Sequence, residues 1–408
     1  MTNILDTLSE RGYIHQVSDA NGLRRALEQP LSLYCGYDPT APSYHIGNLL
    51  SIMILAHFQR AGHRPIAVVG GGTGMVGDPS GKTAQRPILT IEEIEQNLQG
   101  LRSQLERYMD FSDGRALIVN NADWLLPLSY ISFLRDIGRH FSVNQMLAAE
   151  AYKTRLEAGL SFLEFNYMLL QAYDFLQLFR THRCVLQIGG SDQWANCLAG
   201  ADLIRRTEGA EAFVLVAPLL TTASGEKMGK TERGAVWLDA DLTPPYDFYQ
   251  YWVNVDDRDV ERLLALYTFL PIDEVRRLGG LQGADLRFAK EVLAYETTAL
   301  THGVPAAEHA REASHALFSG SAESAEAAPT SRKNLEEFRQ GLPLIALLVE
   351  TGLASSRGAA RTLIEQGGAY VNGDQIRSVD ATITPEALQN GAVLLRAGKK
   401  RYHRILVD

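Results

Sequence analysis

Three cysteines in 408 residues, Cys35, Cys184 and Cys197, are too few and too scattered for a disulfide framework. They form no C-x-x-C pair, so no zinc site or other bound metal is expected. A reducing cytoplasm suits such a chain. No apolar run approaches the ~20 residues needed to span a bilayer, which argues against a membrane role. The stretch Met1 to Gln16 is acidic and lacks an apolar core, so no signal peptide is read there. No Ser-His-Asp or Cys-His arrangement stands out to supply an enzyme nucleophile.

What is present is ordinary globular composition, 46% hydrophobic and 21% charged. The length calls for two or three domains. The net charge of −9 argues weakly against nucleic acid, but it is unevenly spread. Leu342 to Asp408 holds eight Lys/Arg against six Asp/Glu, or +2, which leaves −11 for the rest. Local basic patches, rather than net charge, meet phosphates.

From about Leu31 to Pro218, short β-like runs alternate with helical patterns. Leu31–Cys35, Pro65–Val69 and Cys184–Ile188 read as strands, and Ile46–Ala61 as a helix ended by Gly62. This pattern implies a doubly wound parallel α/β sheet that binds ligands at its carboxyl edge. Tyr246 to Phe318 is helical throughout. Gly320 to Thr330, rich in Ser, Ala and Glu, reads as linker, and a small α/β module follows.

Two motifs mislead. Gly72-Thr73-Gly74-Met75-Val76-Gly77 matches G-x-G-x-x-G, but Asp78-Pro79-Ser80-Gly81 then breaks any helix, so a dinucleotide site is rejected. Gly77 to Thr83 is one residue short of a P-loop. Two others inform. His45-Ile46-Gly47-Asn48 opens a helix, whose free N–H groups favour an anion. Gly225-Glu226-Lys227-Met228-Gly229-Lys230-Thr231 is a Gly-flanked loop whose lysines can follow a polyphosphate as charge develops. Singly, each reads as a capped helix or a solvated loop.

Together these motifs resemble the HIGH and KMSKS signatures of class I aminoacyl-tRNA synthetases. Tyr34-Cys35-Gly36-Tyr37-Asp38-Pro39-Thr40, Gly77 to Lys82, Tyr167 to Asp174 and Gln187 to Trp194 narrow the resemblance to the bacterial-type tyrosyl-tRNA synthetases, over the whole chain. Asn48 stands in place of the last His of HIGH. Gly229 and Thr231 depart from KMSKS.

The resemblance implies activation of tyrosine by ATP to tyrosyl-adenylate and pyrophosphate, then transfer to the terminal ribose of tRNA(Tyr). ATP enters with Mg2+, and no tightly bound cofactor is implied. Tyr34 and Asp174 would share the substrate phenol. Asp78, Tyr167 and Gln171 would hold its ammonium, with Gln193 near the carboxylate. Thr40 and His45 would lie at the γ-phosphate, with Lys82, Arg86, Lys227, Lys230 and Thr231 over pyrophosphate. Cys35, Asn48, Gly190 and Asp192 would contact the ribose, and Gly36, Asp38 and Gly47 would complete the ATP site.

The implied organisation is a catalytic domain over 1–220, with a dimer-interface insertion at about 121–160 that includes Phe133 and Phe141. A connection over 221–245, a helical anticodon domain over 246–319 and a linker over 320–341 lead to an S4-like domain over 342–408. Arg357, Arg361, Arg396, Lys399, Lys400 and Arg401 would contact tRNA phosphates, and Asp256 would face the anticodon. The family works as a homodimer. The alternatives are a tryptophanyl-tRNA synthetase, another nucleotidylyl transferase with a HIGH-like motif, and a non-catalytic RNA-binding protein on the same scaffold.

Overall fold

A computed structural model describes residues 3–80, 90–149, 152, 155–156, 159–223, 225, 228–231, 234–319, 330–389, 391–398 and 401–407. Two compact units divide the chain. The first comprises Met1–Gly229, Trp237–Asp239 and Asp256–Ala289; the second comprises Lys230–Val236, Ala240–Val255 and Lys290–Asp408. The expected helical segment 246–319 is therefore shared between the units, with 256–289 in the first.

The first unit is built on a six-stranded sheet. Its strands are β1 (Gln16–Val17), β2 (Ser32–Tyr37), β3 (Arg64–Val69), β4 (Leu117–Asn120), β5 (Cys184–Gly190) and β6 (Phe213–Ala217). Their order is β1-β6-β5-β2-β3-β4. All neighbours run parallel except β1, which pairs antiparallel with β6. The chain leaves β2 towards β3 and β4, then returns to β5 on the other side of β2. That reversal opens a crevice at the carboxyl ends of β2 and β5. The strands outrun their sequence pattern by a residue or two because Gly36, Gly189 and Gly190 break the apolar run without ending the ladder.

The helix Ile46–Arg60 is buried along most of its length, with Ile46, Ile52, Met53, Ile54, Leu55 and Phe58 almost wholly covered. The apolar run from Ser161 gives two helices rather than one. Phe162–Phe165 is capped by the Ser161/Glu164 box, and Tyr167–His182 begins after Asn166. Phe175, Leu176 and Leu178 of the longer helix reach a core that also contains Tyr34, Ile66 and Val68. Among the described residues, no helix is long and apolar enough to cross a membrane.

The second unit contains a module with its own core. Its strands are β7 (Thr330–Lys333), β8 (Ala369–Val371), β9 (Asp374–Ile376), β10 (Ala392–Ala397) and β11 (Arg401–Val407), ordered β9-β8-β10-β11-β7. The turn Asn372-Gly373 takes positive φ at both residues, 52° and 95°, as a tight hairpin requires. Residues 330–340, read from sequence as linker, instead form β7 and the helix Leu335–Gln340. β7 is polar and pairs only at the sheet edge, so it leaves no apolar pattern; Phe338 carries the packing and is fully buried.

Candidate active site

β2 carries Tyr34 into the core, where 2% of its surface remains exposed. Its ring lies 5.2 Å from Phe175. The hydroxyl is buried and has no hydrogen-bond partner among the described residues. Burial, and then the nearby Asp174, hold this phenol well above its ordinary range. An unpaired buried hydroxyl is costly, so it marks a place that a ligand can satisfy.

Asp174 lies on the neighbouring helix, 4% exposed. Its Oδ2 accepts from Asn121 Nδ2 at 2.9 Å and its Oδ1 from Trp124 Nε1 at 2.7 Å. Burial pushes this carboxyl up to about 7, against those two donors, which pull it down. Asn121 then continues the chain. It donates to Thr73 Oγ1 at 2.9 Å and accepts from Gly72 N at 2.7 Å. Thr73 Oγ1 donates to Asp38 Oδ1 at 3.0 Å, and Tyr167 donates to Asp38 Oδ2 at 3.1 Å. A Cβ at Gly70 would stand 2.4 Å from Asp38 Oδ1, so only glycine leaves that carboxylate its place.

Asn121, Trp124 and Thr73 escaped the sequence reading. Asn121 and Trp124 fall in a segment read only as interface, and Thr73 in a rejected dinucleotide motif. Only their fit to a buried carboxylate reveals them. Tyr167 was grouped with Asp78 but meets Asp38. Asp78 is buried and takes Gln193 Nε2 at 2.7 Å and Ser80 N at 2.9 Å. Gln171 is half-buried, its Nε2 3.9 Å from Cys197 Sγ.

The helix after β2 starts at His45, whose Nδ1 accepts from Gly47 N at 3.0 Å. In the neutral ring, Nε2 then carries the proton and is a donor for phosphate oxygen. Asn48 Oδ1 accepts from His45 N at 3.1 Å, which completes a capping box. The residue that departs from HIGH thus caps the helix and keeps its amide N–H2 as a donor. Gly47 is exposed, and a Cβ there would lie 2.7 Å from His45 Cε1. Gly229, at φ +83°, packs on Gly47: a Cβ on Gly229 would lie 3.3 Å from Gly47 N. The two distant motifs meet at a pair of glycines.

Cys35 is buried, and burial pushes its thiol up to about 11, so it stays an S–H donor. Thr40 and Gly36 are exposed, and Gly190 and Asp192 half-buried, at the same strand ends. Lys82, Arg86 and Lys227 lie outside the described residues, as do the side chains of Lys230 and Thr231.

In the second unit, Arg357 and Arg361 are exposed one turn apart on the helix Arg357–Glu365, and Arg401 is exposed on β11. Arg396 is half-buried, with its guanidinium 3.6 Å from the Tyr370 ring centre and 5.9 Å from that of Tyr402. Lys399 and Lys400 lie outside the described residues. Asp256, in the first unit, grips Arg258 with both oxygens, at 2.9 and 2.8 Å.

Of the two aromatic residues expected at an interface, Phe133 is 8% exposed and packs edge-on to Tyr173 at 5.6 Å, and Phe141 is half-buried. Among the described residues, the exposed apolar side chains of this region include Leu126, Tyr130, Ile131, Leu134, Val143 and Leu156.

A largely parallel sheet, a helix-capping histidine beyond β2 and a glycine of a distant Gly-rich loop beside it are the arrangement expected of a class I synthetase. The family model for class I tRNA synthetases (W and Y) matches residues 26–319, and the chain belongs to that family. A second model, the tyrosine–tRNA ligase SYY-like C-terminal domain, matches residues 325–405. The chain is 54% identical over 426 residues to the tyrosine–tRNA ligase of Syntrophus aciditrophicus (strain SB), covering 100% of both. It is 54% identical over 406 residues to that of Clostridium beijerinckii, covering 99% of both. Its structure resembles a C-terminally truncated mitochondrial tyrosyl-tRNA synthetase of Aspergillus nidulans, with TM-score 0.70 and 32% identity, over 78% of this chain and 95% of that one. Within its class, the chain therefore groups with the tyrosine enzymes.

Proposed function

We propose that this chain activates tyrosine with ATP and passes it to the 3′-terminal ribose of tRNA(Tyr). The observation that carries the choice of amino acid is the unpartnered Tyr34 hydroxyl beside buried Asp174. A substrate phenol donates to Asp174 and accepts from Tyr34, satisfying both. Indole has no hydroxyl to do so, which disfavours tryptophan.

The ammonium lies at the other end of the pocket, towards Asp78, Tyr167 and Gln171, with Gln193 at the carboxylate; Asp38, expected at ATP, is drawn to the ammonium end instead by its bond from Tyr167. That carboxylate attacks the α-phosphorus of ATP and displaces pyrophosphate. No enzyme nucleophile is needed; positioning and charge stabilisation lower the barrier. His45 Nε2–H donates to phosphate oxygen. Cys35, Asn48, Gly190 and Asp192 serve the ribose. Thr40, Lys82, Arg86, Lys227, Lys230 and Thr231 act on the polyphosphate. ATP enters as its Mg2+ complex, a substrate. Arg357, Arg361 and Arg401 meet tRNA phosphates. The protein works in the cytoplasm.

Pyrophosphate exchange run with tyrosine, phenylalanine and tryptophan tests the reading. Exchange with tyrosine alone is expected. Exchange with tryptophan would overturn the pocket, and none with any of them would favour a non-catalytic RNA-binding scaffold.

Tyrosine binding should also depend on pH. Asp174 is raised in the folded protein, so its ionisation costs stability as pH climbs from about 4 to about 7. A donating phenol favours the ionised form. Tyrosine Kd is therefore expected to tighten about tenfold from pH 6 to pH 8. A flat profile would place the phenol elsewhere.

The exposed Leu126, Tyr130, Ile131 and Val143 support a homodimer through this face. Ile131→Asp is expected to shift sedimentation from dimer to monomer; a wild-type monomer would refute the interface.

A further inference from the structure

His45 and Gly229 lie far apart in sequence, yet both must address one polyphosphate. Positions shared by two segments must hold to about 0.5 Å for efficient chemistry. Gly229 lies against Ile46 and Gly47, so that a Cβ there would come within 3.3 Å of Gly47 N, but a glycine's packing sets proximity and not register. The contact that sets register comes from a third segment, the eight-residue helix Val260–Tyr267 and the Asp259 that precedes it.

Asp259 is 6% exposed. Its Oδ2 accepts from Ala223 N at 2.8 Å, in the arm that leads into the Gly225–Thr231 motif. Its Oδ1 accepts from Arg262 Nη2 at 2.7 Å, and that guanidinium donates onward to the Thr221 carbonyl. One carboxylate and its arginine thus hold two backbone groups of one short arm. Met228 N returns to the Leu220 carbonyl at 3.0 Å, closing the loop above them.

At the other end of the same helix, Tyr267 is fully buried and donates to the Ile46 carbonyl at 3.2 Å. Ile46 is the first residue of the His45 helix. The strut itself is clamped: Arg11 donates to the carbonyls of Ala265, Thr268 and Leu270, and Tyr13 to that of Leu266. An arginine on three carbonyls at a helix C-terminus satisfies groups that would otherwise be unpaired.

We propose that Asp259, with Arg262, is a positioning residue for adenylate formation: it fixes the arm Thr221–Ala223 to a helix that Tyr267 ties to the His45 helix. None of the three touches substrate. The proposal rests on the reading of Gly225–Thr231 as an ATP loop, so its test carries a control for that reading.

Exchange kinetics and tyrosine titration should be run on Asp259→Ala, Asp259→Asn, Tyr267→Phe and Lys230→Ala in the full chain. Asp259→Ala is expected to lower the exchange kcat about tenfold with tyrosine Kd within about twofold, because the arm lies outside the tyrosine pocket. Asp259→Asn keeps an acceptor for Ala223 N and should recover part of the loss. Tyr267→Phe deletes one oxygen and should lower kcat by about threefold, again without moving tyrosine Kd. It answers the question even where Asp259→Ala fails to fold. The proposal is overturned if Asp259→Ala exchanges at the wild-type rate, or if tyrosine affinity falls in step with exchange in both Asp259 and Tyr267 variants. If Lys230→Ala also exchanges normally, the ATP-loop reading has failed; if Lys230→Ala is slow while Asp259→Ala is normal, only the positioning role has failed.

Discussion

Tyr34→Phe is expected to raise the thermal unfolding midpoint of the free protein while weakening tyrosine binding. The two effects have one cause. In the free protein the hydroxyl is buried without a partner among the described residues, and a buried polar group left unpaired costs about 1–3 kcal/mol. Removing it relieves that cost and leaves the ring packed on Phe175. With tyrosine bound, the same hydroxyl gains a partner, so its loss should weaken the Kd by about 3- to 10-fold. Phenylalanine binding should not weaken. Asp174→Asn should be harsher. Both carboxylate oxygens already accept N–H groups, from Asn121 and Trp124. An amide would set its own N–H2 against one of those donors and lose the charge-assisted bond to the phenol, for an expected loss of about 100-fold in tyrosine affinity. Thermal shift and equilibrium titration read both. If Tyr34→Phe destabilised the free protein and left tyrosine Kd unchanged, the pocket would have to lie elsewhere.

Deletion of residues 330–408 is expected to abolish tRNA charging at ordinary salt while pyrophosphate exchange stays near the wild-type rate. The boundary comes from the structure. β7 starts at Thr330, and a cut after Gly341, where the sequence placed the domain, would strip the module of its edge strand and of Phe338. Among the described residues, the module's core draws on residues 338 to 407. Loss of exchange in the deletion would mean that the module supports the catalytic unit; intact charging would mean that it does not hold tRNA.

The strands and the His45 helix were legible because buried parallel strands and a long apolar helix leave strong patterns. Tyr34 and Asp174 were legible only through resemblance, since neither spacing nor periodicity marks a buried acceptor. What holds Asp174 was not legible at all. Asn121 and Trp124 come from the turn after β4, far from residue 174, and hydrogen bonds between distant segments leave no periodic trace. The same holds for Asp259: nothing in the sequence sets it apart from Asp256 and Asp257, yet it is buried while they are exposed. The break between the helices Phe162–Phe165 and Tyr167–His182 leaves no mark in the sequence, because apolar character continues across Asn166. Phe133, expected at the interface, is 8% exposed in the single chain, because an aromatic side chain serves a core as readily as a surface and only the fold decides which.

The bonds from Asp174 through Asn121, Thr73 and Asp38 to Tyr167 form one unbroken run along the pocket. Both Asn121 N–H2 hydrogens are committed, one towards each end, so neither terminus can shift without disturbing the other. The pocket wall therefore behaves as a ruler. On the proposed reading its two marks, Asp174 for the phenol and Asp38 towards the ammonium, stand at a set separation. Selection by such a wall is selection by length as well as by functional group, so tyrosine isomers with the hydroxyl at the meta or ortho position carry the right groups at the wrong span.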